Sequence, residues 1–225
     1  VIYDVFDKEW EYAPENEFLK SFYKIDENET DFYEARKLMD KILFKSYLFQ
    51  IDTYARLIEE EIEVFNENKD DVEHISSLVY EVRASGIHNY CTRLLALKSN
   101  EWTAHLLGKN HPLYHDFLNM SPRIYSYFYY IGQDEYDIFI EHIATGKKFK
   151  LTKKSLNTPD LNRRGLFKKI NEILLLGIVK WRNEWWISGS LVKSDYNARL
   201  VNDEVTSIDS RKQVDFLDYQ FVNVE

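Results

Sequence analysis

Only one cysteine occurs among the 225 residues. No internal disulfide framework can form, and a reducing compartment, the cytoplasm, is the natural expectation. Glycine (7) and proline (4) are scarce, which excludes collagen-like and low-complexity classes. No apolar run approaches the roughly 20 residues that a membrane-spanning helix requires; the longest towards the end is Ile173 to Val179. No membrane partner is therefore expected. The first twelve residues, VIYDVFDKEWEY, are acidic and lack the basic region and apolar core of a secretory signal. The patterns GxSxG, GxxxxGK[ST], GxGxxG, HExxH and paired CxxC are all missing. With them go the signatures of a nucleophile elbow, a phosphate-binding loop, a dinucleotide site and the common zinc sites. The expectation leans away from an enzyme, and no cofactor is expected.

What is present suits a folded protein. Hydrophobic residues make up 44% and charged residues 30%, so wholesale disorder is excluded. Aromatics reach 16%, with 16 Tyr, 14 Phe and 5 Trp. The length fits one large domain or two small ones.

The pattern changes near residue 120. Over residues 31–66, Phe32, Ala35, Leu38, Met39, Ile42, Leu43, Ile58, Ile62 and Phe65 recur at intervals of three and four, an amphipathic helix with a break near Gln50. Asp31 is its N-cap, with Glu34 three residues on. A second helix is expected over residues 71–85, with the stripe Val72, Ile75, Leu78, Val79 and Val82 and a cap at Gly86. A third runs from Ile87 to Leu107, breaking near Ser99 and stopping at Gly108, and Pro112 opens a short fourth. After Pro122 the periodicity falls to two. Ile124–Ile131, Tyr136–Glu141 and Lys147–Thr152 read as strands, the last two a hairpin turning at Thr145-Gly146. Leu161 to Leu176 reads as a helix ended by Gly177. Ile178–Trp181 and Trp185–Ser188 then form a second hairpin through Arg182-Asn183-Glu184. Phe216 to Val224 is a candidate final strand.

The fold class is therefore α+β. An antiparallel helical bundle, residues 1–120, precedes a small, mostly antiparallel β-domain, residues 121–225. The order strand-strand-strand-helix-strand-strand suits an OB-like or SH3-like barrel.

Charge divides at the same place. Residues 1–120 hold 24 acidic and 13 basic residues, a net of −11; residues 121–225 hold 14 and 16, a net of +2. Residues 147–182 alone carry 11 basic against 2 acidic residues. Such asymmetry bears on partners, not on fold. The candidate polyanion-binding residues are Lys148 and Lys150 on the outer face of one strand, Lys180 and Arg182 on another, and Arg163, Arg164 and Lys168 about the intervening helix. Tyr125, Tyr127, Tyr129, Trp181, Trp185 and Trp186 are expected near them in the fold, where they could offer stacking surfaces for unpaired bases. The bland alternative is a solvated face, with the aromatics in the core.

Adjacent strand residues point to opposite faces, which splits the tryptophan pair. Trp185, in register with Ile187, belongs inside with Trp181, while Trp186 is either covered by the helical half or exposed.

Four of the six histidines fall between His88 and His115, with Cys91 among them. His88 and Cys91 are three apart, and His111 and His115 four apart, spacings that share a helix face and can ligate zinc. Cys91 equally continues an apolar stripe with Ile87, Leu94 and Leu95, so no metal is expected. Three functions compete. The first is a binding module whose basic β-surface engages nucleic acid or another polyanion. The second is a protein-interaction or structural module meeting an acidic surface. The third is a metal-dependent enzyme built on His88, Cys91, His111 and His115.

Overall fold

The computed structural model of the chain describes residues 23–45, 55–69, 72–91, 96–156, 167–194 and 196–220. Within them the protein is mixed α+β. Helices α1 (Phe32–Lys45), α2 (Ala55–Glu67), α3 (Val72–Asn89), α4 (Ser99–Leu107) and α5 (Tyr114–Leu118) come first. Strands β1 (Ile124–Gln133), β2 (Asp137–His142), β3 (Lys148–Thr152), β4 (Ile173–Trp181) and β5 (Glu184–Ser194) follow, and α6 (Ala198–Thr206) and α7 (Ile208–Gln220) end the described chain.

Helix α1 forms as its periodicity dictates. The Asp31 carboxylate accepts a hydrogen bond from the Tyr33 backbone N–H at 2.7 Å, which caps an otherwise orphan donor. Phe32, Ala35, Leu38, Met39, Ile42 and Leu43 are all buried. Helix α2 departs from expectation. It buries Leu57, while Ile62 and Phe65 are each 54% exposed. It is held to α3 on the face that carries Glu61, whose carboxylate takes both the Nε (2.5 Å) and Nη2 (3.1 Å) of Arg83. Gly86 does not cap α3. The helix continues to Asn89, and a Cβ at position 86 would stand 2.9 Å from Leu57 Cδ1, so glycine here permits close helix packing. Gly108 does stop α4, at φ 83°.

The five strands pair in the order β1-β2-β3-β5-β4, and β4 returns to β1. All pairings are antiparallel except β3 with β5, which meet parallel at the single register pair Leu151–Trp185. Ile124, Phe128, Ile138, Ile140, Phe149, Leu151, Leu174, Leu176, Ile178, Ile187 and Leu191 fill one core inside the closed sheet. The opposite faces of β4 and β5 send Val179, Trp181 and Trp186 into a second core with Phe32, Met39, Ile87 and Phe117 of the helices. Trp181 packs on Phe117 at 4.9 Å between ring centroids, and Trp186 on Phe32 (6.2 Å) and Tyr33 (5.8 Å). The apolar cluster thus crosses residue 120.

Burial on both faces explains the largest misreading of the sequence. The expected helix Leu161–Leu176 is not present over its described part: residues 167–172 are bends and turns, and β4 starts at Ile173. A strand covered on both sides reads as an unbroken apolar run, ILLLGIV, which periodicity cannot tell from a buried helix. Residues 157–166 of that expected helix, with Arg163 and Arg164, lie outside the described residues. Gly177 sits mid-strand instead of ending a helix. A Cβ there would lie 2.2 Å from the Ser188 carbonyl oxygen. The expected final strand at Phe216 is also overturned, since residues 216–220 complete α7, whose Val214 enters the interior core; residues 221–225 lie outside the described residues.

The β4–β5 register passes from Ile178–Ile187 to Leu176–Leu191, so Gly177 faces three residues, Ser188 to Ser190. This bulge frees backbone groups that buried side chains take up. Arg123 Nε donates to the Ser188 carbonyl (3.0 Å), and the Ser190 N–H and hydroxyl donate to Glu81 Oε2 (3.1 and 2.9 Å). Arg123 and Glu81 pair at 2.5 Å, with side chains 2% and 15% exposed. Burial lowers the pKa of the Arg123 guanidinium, and Glu81 opposes that shift. Beside them His88, stacked on Phe32, shares a 2.9 Å hydrogen bond with the Ser188 hydroxyl.

Candidate functional site

At one end of the sheet the β1–β2 turn, the end of β3 and the β4–β5 turn surround an open cleft of about 690 Å³. Glu135, Tyr136 and Asp137 line it from the β1–β2 turn and the start of β2. Lys150, Thr152, Lys153 and Lys154 line it from β3 and the segment that follows, and Asn183, Glu184 and Trp185 from the β4–β5 turn and the start of β5. Local structure sets each of them. Asp134 Oδ1 accepts from the backbone N–H of Tyr136 (2.9 Å) and of Asp137 (2.7 Å), which closes the turn. Those two bonds, Asp137's first, hold the Asp134 carboxyl below the usual carboxylate range. The Lys153 N–H donates to the Tyr136 carbonyl at 2.8 Å, and its ammonium reaches the Asp134 carbonyl. The turn is thereby stitched to the short 3-10 segment Lys153–Leu156 that follows β3. Tyr136, read from the sequence as the first residue of a strand, is 69% exposed, because the turn holds it ahead of the first paired residue of β2, Asp137. Trp185 is half-buried, its ring edge-on to Phe149 at 5.0 Å.

The lysines are matched by acids. Lys150 Nζ lies 2.8 Å from Asp137, which raises the pKa of the ammonium chiefly through that hydrogen bond. Lys154 reaches both oxygens of Glu184, at 2.9 and 3.0 Å. Glu135, Asp137 and Glu184 balance Lys150, Lys153 and Lys154 within the lining.

The sequence-based candidates separate into groups. Lys150 lies in the cleft, and Lys148 continues along the same outward face of β3, 3.8 Å from Glu141. Arg182 occupies the β4–β5 turn at φ 54° and faces the helices, with Nε 3.4 Å from Asp116 and Nη1 donating to the Glu29 carbonyl at 3.2 Å. Lys180 is half-buried on β4, where its N–H donates to the Ser121 hydroxyl at 2.7 Å. Lys168 is exposed in the turns that precede β4. Lys153, Tyr136, Asn183 and Glu184 were not singled out as site residues in the sequence. Lys153 counted only within the basic run 147–182, Tyr136 read as the start of a strand, and Asn183 and Glu184 read as a hairpin turn.

A family model described as a protein of unknown function (DUF3843) matches residues 1–130. The chain belongs to that family. The matched span takes in α1 to α5, Glu81, Arg123 and most of β1, and every residue lining the cleft lies beyond it. No curated protein and no solved structure matches the chain.

The histidines have other partners. His88 is buried on Ser188, and burial keeps its pKa well below the ordinary histidine value. His111 Nδ1 accepts from the Leu113 N–H at 3.2 Å, and His115 packs edge-on to Tyr114 at 5.1 Å. Cys91 is a half-buried free thiol. Among the described residues no group of three or more His, Cys, Asp or Glu side chains is arranged to hold a metal ion. Nor is any described helix long and apolar enough to cross a membrane.

Proposed function

We propose that the chain is a non-enzymatic binding protein whose five-stranded unit is an OB-type barrel, and that its cleft takes an extended single-stranded nucleic acid. The strand order, the return of β4 to β1 and the parallel β3–β5 meeting favour the OB topology over an SH3-like one, with the helices as a covering bundle. OB folds bind oligonucleotides on the face of strands 2 and 3, between the turns joining strands 1–2 and 4–5. The observation that carries the reading is that these same elements frame the cleft here, whose lining combines the exposed Tyr136 and half-buried Trp185 with Lys150, Lys153 and Lys154. Bases would lie against the aromatic rings and phosphates against the ammonium groups. Lys148 extends the track along β3, and the exposed Lys168 would add to the attraction.

Fluorescence anisotropy with a labelled single-stranded oligonucleotide tests this. Binding in the micromolar range at low salt is expected. The log-log salt slope should be about −0.7 for each phosphate neutralised, and should shrink in Lys150→Glu. Absence of binding at tens of micromolar protein overturns the reading.

One observation favours the second reading, a protein-interaction module. Lys150 and Lys154 already hold carboxylates, so the lining is formally neutral and a polyanion must displace Asp137 and Glu184. A cleft of alternating signs suits a protein surface of matching pattern. Oligonucleotide binding that does not respond to salt would favour it.

A further inference from the structure

The closed sheet has a weak seam. β3 and β5 share one register pair, Leu151–Trp185, and β3 ends at Thr152. Beyond it the edge of β5 offers the N–H and carbonyl of Ile187 with no strand to meet them. Buried backbone groups need partners. The Ile187 N–H finds the hydroxyl of Ser155, in the 3-10 segment, at 3.2 Å. The carbonyl finds a group from the other half of the molecule. The Tyr33 hydroxyl, on α1, lies 3.1 Å from the Ile187 carbonyl oxygen and 2.9 Å from that of Ser155, and shares its proton between them. A helix side chain thus spans the seam where strand pairing fails.

The seam adjoins the cleft through chain neighbours that line it. Lys153 and Lys154 precede Ser155 in the same 3-10 segment, and Trp185 lies two residues before Ile187. Trp186, between them, packs edge-on to the Tyr33 ring at 5.8 Å, and the Lys154 ammonium lies over its indole at 5.9 Å. Burial raises the pKa of the Tyr33 phenol, so it stays protonated and remains a donor throughout the physiological range.

We infer that Tyr33 is a positioning residue for the cleft: its hydroxyl clamps Ser155 to Ile187 and so fixes the spacing between Lys153–Lys154 and Trp185. This rests on the proposed ligand-binding role of the cleft, and it makes the helical layer a determinant of affinity although no described α-helix lines the cleft. A ligand that contacts both groups at once needs that spacing held before it arrives, since ordering a loose site on binding lowers affinity.

Tyr33→Phe keeps the ring packed against Phe32 and Trp186 and removes only the hydroxyl. Two measurements on the whole chain separate the possible outcomes. Amide hydrogen exchange of the variant should be faster at Ile187 and over residues 153–156, with the β1–β2 ladder unchanged; Ser155→Ala should show the same local pattern. Unchanged exchange at Ile187 overturns the clamp. Anisotropy titration with the same single-stranded oligonucleotide should show binding weakened roughly 2–10-fold, the scale of one lost hydrogen bond. Equal affinity of wild type and variant, with faster exchange at the seam, overturns the positioning role. A wild type that binds no oligonucleotide overturns the nucleic-acid reading and the positioning role with it, and the clamp is then decided by the exchange result alone.

Discussion

The two hydrophobic cores share β4 and β5 but are built differently. The core inside the closed sheet is mostly aliphatic and aromatic, and His142 packs against its Phe128, its Nε2 and Nδ1 meeting the hydroxyls of Ser126 and Thr145, each at 2.9 Å. The core between sheet and helices holds the two indoles Trp181 and Trp186 and is bordered by the Glu81–Arg123 pair and His88. Two-residue alternation along a strand feeds both. What distinguishes them is the source of specificity. The inner core is defined by strand register, and any apolar residue of similar volume serves it. The outer one is bordered by polar side chains that bond the bulge at Ser188–Ser190, which adds directional contacts between helix and sheet.

Substitutions can sharpen that contrast. The largest effect is expected at Trp186, fully buried in the outer core. Trp186→Ala should cost about 4 kcal/mol in denaturant unfolding, the usual scale for a large buried side chain. The neighbouring Trp185→Ala, at the rim of the inner core, should cost less than about 2 kcal/mol and act mainly on ligand binding. Equal losses at the two positions would show that the cleft side is as closed as the helical side.

Next comes the polar border. Glu81→Ala leaves the Arg123 guanidinium buried without its counter-charge and the Ser190 N–H without an acceptor. A loss of about 3 kcal/mol is expected. The double substitution Glu81→Ala with Arg123→Met should recover part of it, because the cost lies in the unpaired charge. A loss below about 1 kcal/mol in the single variant would mean that the pair behaves as a surface salt bridge and does not anchor the helices.

The smallest effect at neutral pH comes from His142. Burial lowers its pKa to about 4 in the folded chain, against about 6.5 in an unfolded one. The neutral imidazole is therefore the folded form, and the unfolded chain takes up the proton first. Stability from this group is complete above about pH 6.5 and is lost as pH falls towards 4, because unfolding binds a proton in that window. Urea midpoints between pH 7 and pH 4.5 should fall, and less steeply in His142→Gln. Identical slopes would assign the acid sensitivity to other groups, His88 foremost, since its pKa is also lowered by burial.

Much of the inner architecture was legible before any coordinates. The alternation Phe149–Leu151 against Lys148–Lys150, the turn at Thr145-Gly146 and the opposed pair Trp185–Trp186 carry period-two information that only one register satisfies. Trp181 also proved buried, though in the core shared with the helices and not inside the sheet. The cleft was legible in part. Lys148 and Lys150 were placed on the outward face of β3, but Arg182 turned to Asp116 and Glu29, which no local pattern encodes. Tyr136 read as the first residue of a strand because the alternation it continues does not reveal that Asp134 has already closed a turn.

Length, composition and periodicity by themselves determined that this protein folds, that helices precede strands, which faces of α1 and β3 are apolar, and that one tryptophan of the adjacent pair must leave the sheet interior. These are local consequences of 3.6- and 2-residue periods acting on one chain segment at a time. Only the tertiary structure decided that Ile173–Leu176 is strand, that Gly177 and Gly189 make room for the Ser188 carbonyl and the Arg123 guanidinium, and that Tyr33 closes the β3–β5 seam. Each of those depends on what a residue meets from a segment far away in sequence: a second face to bury against, a bulge whose backbone needs partners, an edge left unpaired. Burial and hydrogen-bond satisfaction are properties of the packed molecule, and no reading of one segment contains them.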